Sequence, residues 1–305
     1  MLGEHAFRVL AQHASDSSHP FRSPIAARAV AGLQTPAFIE RVALVLLRGP
    51  VASHEAAQSV LVLTGAAGAQ ALCMIRLRSG NDLDLGARKR FAAAVRLCGS
   101  AAGSAISHAL RQTGPDSMDV FVVEDLLRAV PDGMADDIGA TVQRLTQHFA
   151  PQVRRAALGA LTAIWGGRVR QTLLKALHDQ DEGVRLSALV GLQRLGDLDY
   201  EGVTKVAALL LNGSDEIRAA AAAALQGASP TARHDAVAML GKSLSKQKMS
   251  RVFRLGDDDE SAVVVEATAR ALITLGGPDA RLAVEQRAAK ADGELKRRLL
   301  ALLST

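Results

Sequence analysis

One short pattern recurs along this chain at intervals of about 33 residues, and it constrains the fold more than any other feature. Its clearest copy spans residues 181–196, where Asp181 opens a segment with apolar residues at helical spacing and Gly196 closes it. The apolar positions are Val184, Ala188, Leu192 and Leu195. Aspartate caps a helix N-terminus, glycine ends a helix, and steps of three or four residues place the apolar side chains on one face. The segment therefore predicts one amphipathic helix.

Related segments repeat this helix both upstream and downstream. Their first apolar residues, which we call anchors, are Ala87, Val120 (a looser match), Val153, Val184, Ile217, Val264 and Leu295. From Val120 onward the anchors are 33, 31, 33, 47 and 31 residues apart. A second helical stretch of about 12 residues precedes each anchored helix. Two helices per repeat at this period are typical of an α-solenoid.

The composition agrees with closely packed helices. Apolar residues make up 49% of the 305 residues, but aromatic residues only 3%, so the core must consist mainly of Ala, Leu and Val. Strictly alternating β-branched runs, which would predict strands, are missing from the sequence. We predict an all-α fold, a right-handed α-solenoid of about nine antiparallel helical pairs. It forms a single domain over residues 1–305, with an irregular insertion at 242–260.

The turns before the anchored helices resemble those of a known repeat family. The matching stretches are Asp179-Gln180-Asp181-Glu182-Gly183-Val184-Arg185, Asp215-Glu216-Ile217-Arg218 and Gln152-Val153-Arg154. This combination of an acidic turn, an apolar residue and an arginine resembles HEAT-like repeats of the phycobilisome-lyase type. The resemblance is strong over residues 150–276 and weaker before residue 85. It implies the α-solenoid fold, which serves scaffolds, lyases and a few enzymes.

A basic residue directly follows most anchors. The series is Arg88, Arg154, Arg185, Arg218 and Lys296. A cation in the first turn of a helix opposes the helix dipole by about 0.3–1 kcal/mol. We expect carboxylates in the preceding turns, such as Asp179, Asp181 and Asp215, to offset this effect. Stacked repeats would then form a row of exposed ion pairs that sets register, since each pair contributes only about 0–1 kcal/mol.

The same arginines allow a functional interpretation. A row of guanidinium groups along a solenoid can bind an acidic peptide or phosphate groups. Arg154, Arg185 and Arg218 are therefore candidate partner-binding residues.

The interval between Ile217 and Val264 is longer than the period and contains a basic segment. Its cations are Lys242, Lys246, Lys248, Arg251 and Arg254, and acidic residues follow at 257–260. Because loops often carry function, these five residues are also candidate partner-binding residues. The alternative is a solvated insertion or a lengthened helix.

No residue pattern predicts catalysis, a metal site or a cofactor site. His54-Glu55 is similar to the His-Glu pairs of di-iron HEAT-repeat hydroxylases, but that chemistry needs several such pairs and the sequence contains one. The remaining histidines are scattered. Helical-repeat DNA glycosylases place aromatic residues around an extruded base, whereas Trp165 stands alone at a predicted helix end and is expected to pack.

These observations favour a non-catalytic scaffold that binds another protein on the concave solenoid surface. The formal net charge of +5 fits a partner with an acidic or mixed surface. Cys73 and Cys98 lie in apolar stretches and are expected to be buried free thiols, which suits a reducing cytoplasm. No apolar run reaches the roughly 20 residues of a membrane span. The alternatives are a nucleic-acid-binding helical-repeat protein of the DNA-glycosylase kind or, from the resemblance alone, a lyase or cofactor-handling protein.

Overall fold

The protein is described here by a computed structural model that covers residues 35–113, 119–132, 138–246 and 262–304. The chain divides into two compact units, Met1–Gly166 and Gly167–Thr305. The described parts of both units consist of helices and the turns that connect them, with one isolated backbone bridge between Leu198 and Ala228. The predicted all-α, α-solenoid fold is confirmed. The predicted single domain over residues 1–305 stays a prediction.

The first unit contains two layers of stacked helices. Its helices are α1 (Pro36–Arg48), α2 (His54–Thr64), α3 (Ala66–Ser79), α4 (Leu85–Leu97), α5 (Gly103–Thr113), α6 (Val120–Arg128), α7 (Gly139–Leu145) and α8 (Pro151–Trp165). In one layer, α2, α4, α6 and α8 pack each on the next, and in the other α1, α3 and α5 do the same. The anchored helices α4, α6 and α8 thus share one layer with α2, whereas α1, α3 and α5 form the other.

The second unit repeats this arrangement. Its helices are α9 (Arg170–Ala176), α10 (Glu182–Leu195), α11 (Tyr200–Asn212), α12 (Asp215–Leu225), α13 (Arg233–Lys246), α14 (Ala262–Leu275), α15 (Pro278–Ala289) and α16 (Gly293–Leu303). The anchored helices α10, α12, α14 and α16 stack in sequence, and α11, α13 and α15 form the second layer. Helix α13 extends to Lys246, so the first residues of the predicted insertion at 242–260 continue that helix. Residues 247–260 of the insertion lie outside the described residues.

Side-chain caps start the anchored helices α10 and α12. The Asp181 carboxylate accepts a hydrogen bond from the Val184 amide at 2.9 Å, and Ser214 Oγ accepts one from the Ile217 amide at 3.4 Å. Gly196 ends α10 with a φ of 63°, a conformation that glycine adopts without steric cost. These caps satisfy amide groups that a helix N-terminus leaves without an intrahelical partner.

The core consists of the predicted aliphatic positions. In α10, Val184, Ala188 and Leu192 are at most 1% exposed, whereas Leu195 at the helix end is only half-buried. The corresponding positions of α8, α12 and α14 follow the same pattern, with three or four of the four buried in each. In the terminal helix α16, Leu299 and Leu303 are buried. Burying a leucine side chain contributes about 1.5–3 kcal/mol, so these stripes dominate the stability of the stack.

A backbone bridge also joins two successive turns of the second unit. The Leu198 amide donates to the Gly227 carbonyl, and the Ser229 amide donates to the Leu198 carbonyl, both at 2.8 Å. At this point a Cβ on Gly227 would lie 2.9 Å from the Gly196 Cα. The two turns therefore approach so closely that a side chain at residue 227 does not fit without a shift.

Candidate interaction surface

The arginines that follow the anchors hold the turns before their own helices. We call Arg154, Arg185 and Arg218 the turn arginines. Arg185 Nη1 donates to the carbonyls of Asp179 and Gln180 at 2.8 and 3.0 Å. Asp179 and Gln180 lie in the turn between α9, which ends at Ala176, and α10, so these bonds join the turn to the first turn of α10.

The other two turn arginines act in the same way. Arg154 Nη1 donates to the carbonyls of His148 and Phe149 at 2.9 and 3.0 Å, the same six- and five-residue steps back along the chain as at Arg185. Arg218 Nε donates to the Leu210 carbonyl at 3.1 Å. Main-chain carbonyls therefore act together with carboxylates, which the sequence predicts, to offset the unfavourable dipole interaction.

Ion pairs between neighbouring helices occur at other residues than the turn arginines. Arg185 and Arg218 pair at 3.8 and 3.7 Å with Glu182 and Asp215 of their own helices, at spacing i, i+3. In contrast, Arg298 of α16 contacts Glu266 of α14 at 3.2 Å. The ion pairs of Arg185 and Arg218 thus lie within their own repeats, whereas the sequence predicts ion pairs with the neighbouring repeat.

Arg88 is the member of the predicted series that does bridge two repeats. Its Nε lies 3.0 and 2.9 Å from the two carboxylate oxygens of Asp125 in α6, and its Nη2 lies 2.8 Å from Glu124 Oε2. The hydrogen bond to Asp125, together with that carboxylate's charge, raises the pKa of Arg88 despite partial burial. The Arg88 guanidinium also lies over the ring of Phe121, 4.6 Å from its centroid.

A buried arginine completes this group and is absent from the sequence predictions. Arg76 in α3 is fully buried; its Nε donates to Asp125 Oδ2 at 2.7 Å and its Nη1 to the Gly80 carbonyl at 2.5 Å. Its Nη2 has no hydrogen-bond partner among the described residues. Arg128 contacts Glu124 at 2.8 Å. We call Arg76, Arg88, Glu124 and Asp125 the buried cluster; Arg128 is exposed at its edge. The cluster's sequence signal is an arginine on the apolar face of α3, close to Leu72 and Cys73.

The basic candidates of the 242–260 segment are only partly described. Lys242 is exposed on α13, and Lys246 is the last residue of that helix. Lys248, Arg251 and Arg254 lie outside the described residues, so their predicted role in partner binding stays a prediction.

Next to Lys242, an open cleft of about 60 Å³ lies between α13 and α15. Its polar lining consists of Ser245, Gln286, Arg287 and Lys290. Lys290 is exposed and Arg287 is half-buried. Two cations and two neutral hydrogen-bonding groups therefore surround a space that is accessible from solvent. We call it the α13–α15 cleft.

The side chains weighed for metal binding, base stacking or thiol chemistry are buried or make contacts within the fold. His54 Nε2 lies 2.9 Å from the Gly49 carbonyl, and Trp165 is partly buried at the end of α8. Within the described ranges, no group of three His, Cys, Asp or Glu side chains is placed to hold a metal ion. Cys73 and Cys98 are buried free thiols, as predicted. Burial, with a smaller contribution from Cys98, raises the pKa of Cys73 to about 12.

Comparison with known sequences assigns part of this architecture. A family model described as HEAT repeats matches residues 138–226, which include helices α7 to α12 and all three turn arginines. This segment is similar to HEAT repeats. The finer resemblance to the phycobilisome-lyase type stays a prediction. Among curated proteins, no sequence matches this chain.

Solved structures with similar folds cover nearly the whole chain. The crystal structure of the Escherichia coli protein YibA is 14% identical, covers 90% of this chain and 96% of its own, and has a TM-score of 0.52. This similarity concerns the fold alone. A designed armadillo repeat protein in complex with a (KR)4 peptide (16% identity, 87% and 98% coverage) has a TM-score of 0.35. Human deoxyhypusine hydroxylase in complex with glycerol (15%, 90% and 98%) has a TM-score of 0.34.

None of the helices in the four described ranges is long and apolar enough to cross a membrane.

Proposed function

We propose that this chain is a non-catalytic scaffold that binds another protein along the exposed, concave side of its helical repeats. The stacking of the anchored helices is the observation that carries the proposal. Helices α10, α12, α14 and α16 each pack on the next one in sequence, which extends one surface over several repeats. HEAT- and armadillo-like repeats commonly use such extended surfaces for protein binding.

The distribution of charge supports a partner with an acidic or mixed surface. The chain carries a formal net charge of +5, and the described part of its second unit places Arg287 and Lys290 in the lining of one cleft. Cations in an open cleft attract acidic groups and raise their rate of association.

The turn arginines contribute less to this charge than the sequence alone indicates. Each guanidinium has five N–H donors, and in Arg154 and Arg185 one nitrogen already donates to two main-chain carbonyls. The Arg185 and Arg218 side chains are only 24% and 18% exposed. We infer that these residues mainly hold the turns, and that partner contacts fall to the exposed cations.

The buried cluster supports a structural rather than a catalytic use of ionisable groups. Asp125 and Arg76 are 3% and 0% exposed at their side chains, and the Asp125 carboxylate contacts both Arg76 and Arg88. A catalytic carboxylate must reach substrate, whereas these carboxylates face arginines. The buried thiols Cys73 and Cys98 fit a reducing compartment, and we propose a cytoplasmic location.

The proposal is tested with the tagged full-length chain, treated with nuclease before purification from its native cells. We expect a protein that co-purifies in a fixed ratio and rebinds after both proteins are purified separately. As the competing ligand, duplex DNA is titrated at low and at physiological salt. Binding only to DNA, with an affinity that falls steeply as salt rises, would instead assign the chain to the nucleic-acid-binding alternative.

A further inference from the structure

We infer that the α13–α15 cleft binds a carboxylate side chain from an acidic peptide segment of the protein partner. This inference rests on the proposed scaffold function and names the part of the surface and the chemistry of the partner.

The cleft provides donors for a carboxylate but no competing acid. Gln286, Arg287 and Lys290 contribute N–H donors, and no Asp or Glu is among the described residues that line the space. The Ser245 hydroxyl donates to the Lys242 carbonyl at 3.0 Å, which fixes its orientation beside these donors. Charge-assisted hydrogen bonds from arginine and lysine to a carboxylate are about twice as strong as neutral ones.

The walls and the size of the cleft select a small group. Leu244 and Ala283 supply the apolar part of the lining, and Leu244 is almost fully buried. The space of about 60 Å³ is enough for a carboxylate group, since about 10–15 Å³ of such volume holds one water molecule. The described residues of the lining also include no aromatic side chain on which a base could stack. These features favour an acidic peptide over single-stranded nucleic acid.

The position of the two cations has a structural explanation as well. Arg287 lies in the last turn of α15 and Lys290 is its C-cap residue, where the helix dipole stabilises positive charge. This effect accounts for the presence of cations at the helix end. The exposed Lys290 therefore lies beside an open space, where an anion from a partner can contact its ammonium group.

Gly241 keeps this space open. It lies inside α13, where glycine destabilises a helix relative to alanine. A Cβ at this position would lie 3.9 Å from the Ala283 Cβ, which is an ordinary contact, so alanine fits without strain. A larger side chain at residue 241 would extend into the cleft. The position therefore offers one substitution that blocks the cleft and a smaller one that does not.

The test uses the full-length chain and a fluorescein-labelled peptide of alternating Glu and Gly, measured by fluorescence anisotropy at physiological salt. We expect Gly241→Leu and Lys290→Glu each to weaken binding at least tenfold. The matched controls Gly241→Ala and Arg297→Glu, the latter at a side chain of α16 that is 78% exposed, are expected to change binding less than twofold. Circular dichroism melts of all four variants establish that they fold.

Three results would overturn the inference. They are unchanged peptide binding by folded Gly241→Leu, equal binding of a Gln-Gly peptide, and tighter binding of a single-stranded oligonucleotide of the same charge than of the peptide. If Gly241→Leu still captures the co-purified protein partner at wild-type affinity, the cleft assignment fails and the scaffold function stands. If no protein partner is found although the peptide binds, the scaffold function fails instead.

Discussion

Replacing Asp125 by asparagine should strongly destabilise the first unit. The Asp125 carboxylate accepts hydrogen bonds from both Arg76 and Arg88, at 2.7 to 3.0 Å. The substitution removes its negative charge and replaces one acceptor oxygen by an NH2 group that faces a guanidinium. Arg76, which is fully buried, then keeps only the Gly80 carbonyl as a described partner.

The expected loss follows from the burial of this pair. Removing one partner of a buried ion pair costs about 3–5 kcal/mol, because the remaining charge is left uncompensated in a low-dielectric interior. Arg76 and Asp125 are 0% and 3% exposed at their side chains, so little solvent screening reduces this figure. Domains of this size are stable by about 5–15 kcal/mol, so the loss is a large fraction of the total.

Urea denaturation followed by tryptophan fluorescence measures this effect in the correct unit. The chain contains one tryptophan, Trp165, which lies in the same unit as Asp125. With a slope of about 2 kcal/mol per molar urea, we expect the midpoint to fall by about 1.5–2.5 M.

The matched control is Glu201→Gln, which removes an exposed carboxylate 2.7 Å from Lys205 and should cost no more than about 1 kcal/mol. Its unfolding is followed by circular dichroism, since it lies in the second unit. A loss below about 1 kcal/mol in Asp125→Asn, equal to this control, would refute the structural role of the buried cluster.

Other changes test the packing and the thiols. Gly227→Ala should destabilise the second unit by about 1–3 kcal/mol in the same urea titration, because its Cβ would lie 2.9 Å from the Gly196 Cα. Gly241→Ala should be neutral or stabilising, because the new Cβ has room and alanine favours a helix over glycine. Since burial raises the Cys73 pKa from 9.0 to about 12, the thiol stabilises the fold below about pH 9, and this contribution is lost as the pH rises towards 12. Above pH 9 the free energy of unfolding should therefore fall more steeply in the wild type than in Cys73→Ala, by on the order of 1 kcal/mol per pH unit. Parallel pH profiles of the two proteins would contradict this assignment. In native protein near pH 8 both cysteines should resist a thiol reagent until urea unfolds the chain, and rapid native labelling would count against their burial.

The repeat and its helices could be predicted because their signals are local. The cap at Asp181, the apolar spacing from Val184 and the glycine at residue 196 all act within one helix, and the structure confirms each of them. The half-exposed Leu195 shows the limit of this pattern, because burial at the end of a helix depends on what packs there.

Contacts between distant segments could not be predicted in this way. Arg76 and Asp125 are 49 residues apart, and their pairing depends on how α3 and α6 pack. The α13–α15 cleft likewise forms only when the two helices pack, since Ser245 and Lys290 belong to different repeats. The hydrogen bonds of Arg185 are local, but periodicity describes side-chain faces and carries no information on carbonyl groups in the turn.

The most direct test of the whole account compares one turn arginine with one cleft lysine in the same peptide titration. Arg185→Gln removes hydrogen bonds to two carbonyls and should lower stability by about 1–2 kcal/mol while the Kd for the acidic peptide changes less than twofold. Lys290→Gln should leave stability unchanged and raise the Kd several-fold. The account predicts this separation of stability from binding. A higher Kd in Arg185→Gln, together with an unchanged Kd in Lys290→Gln, would contradict it.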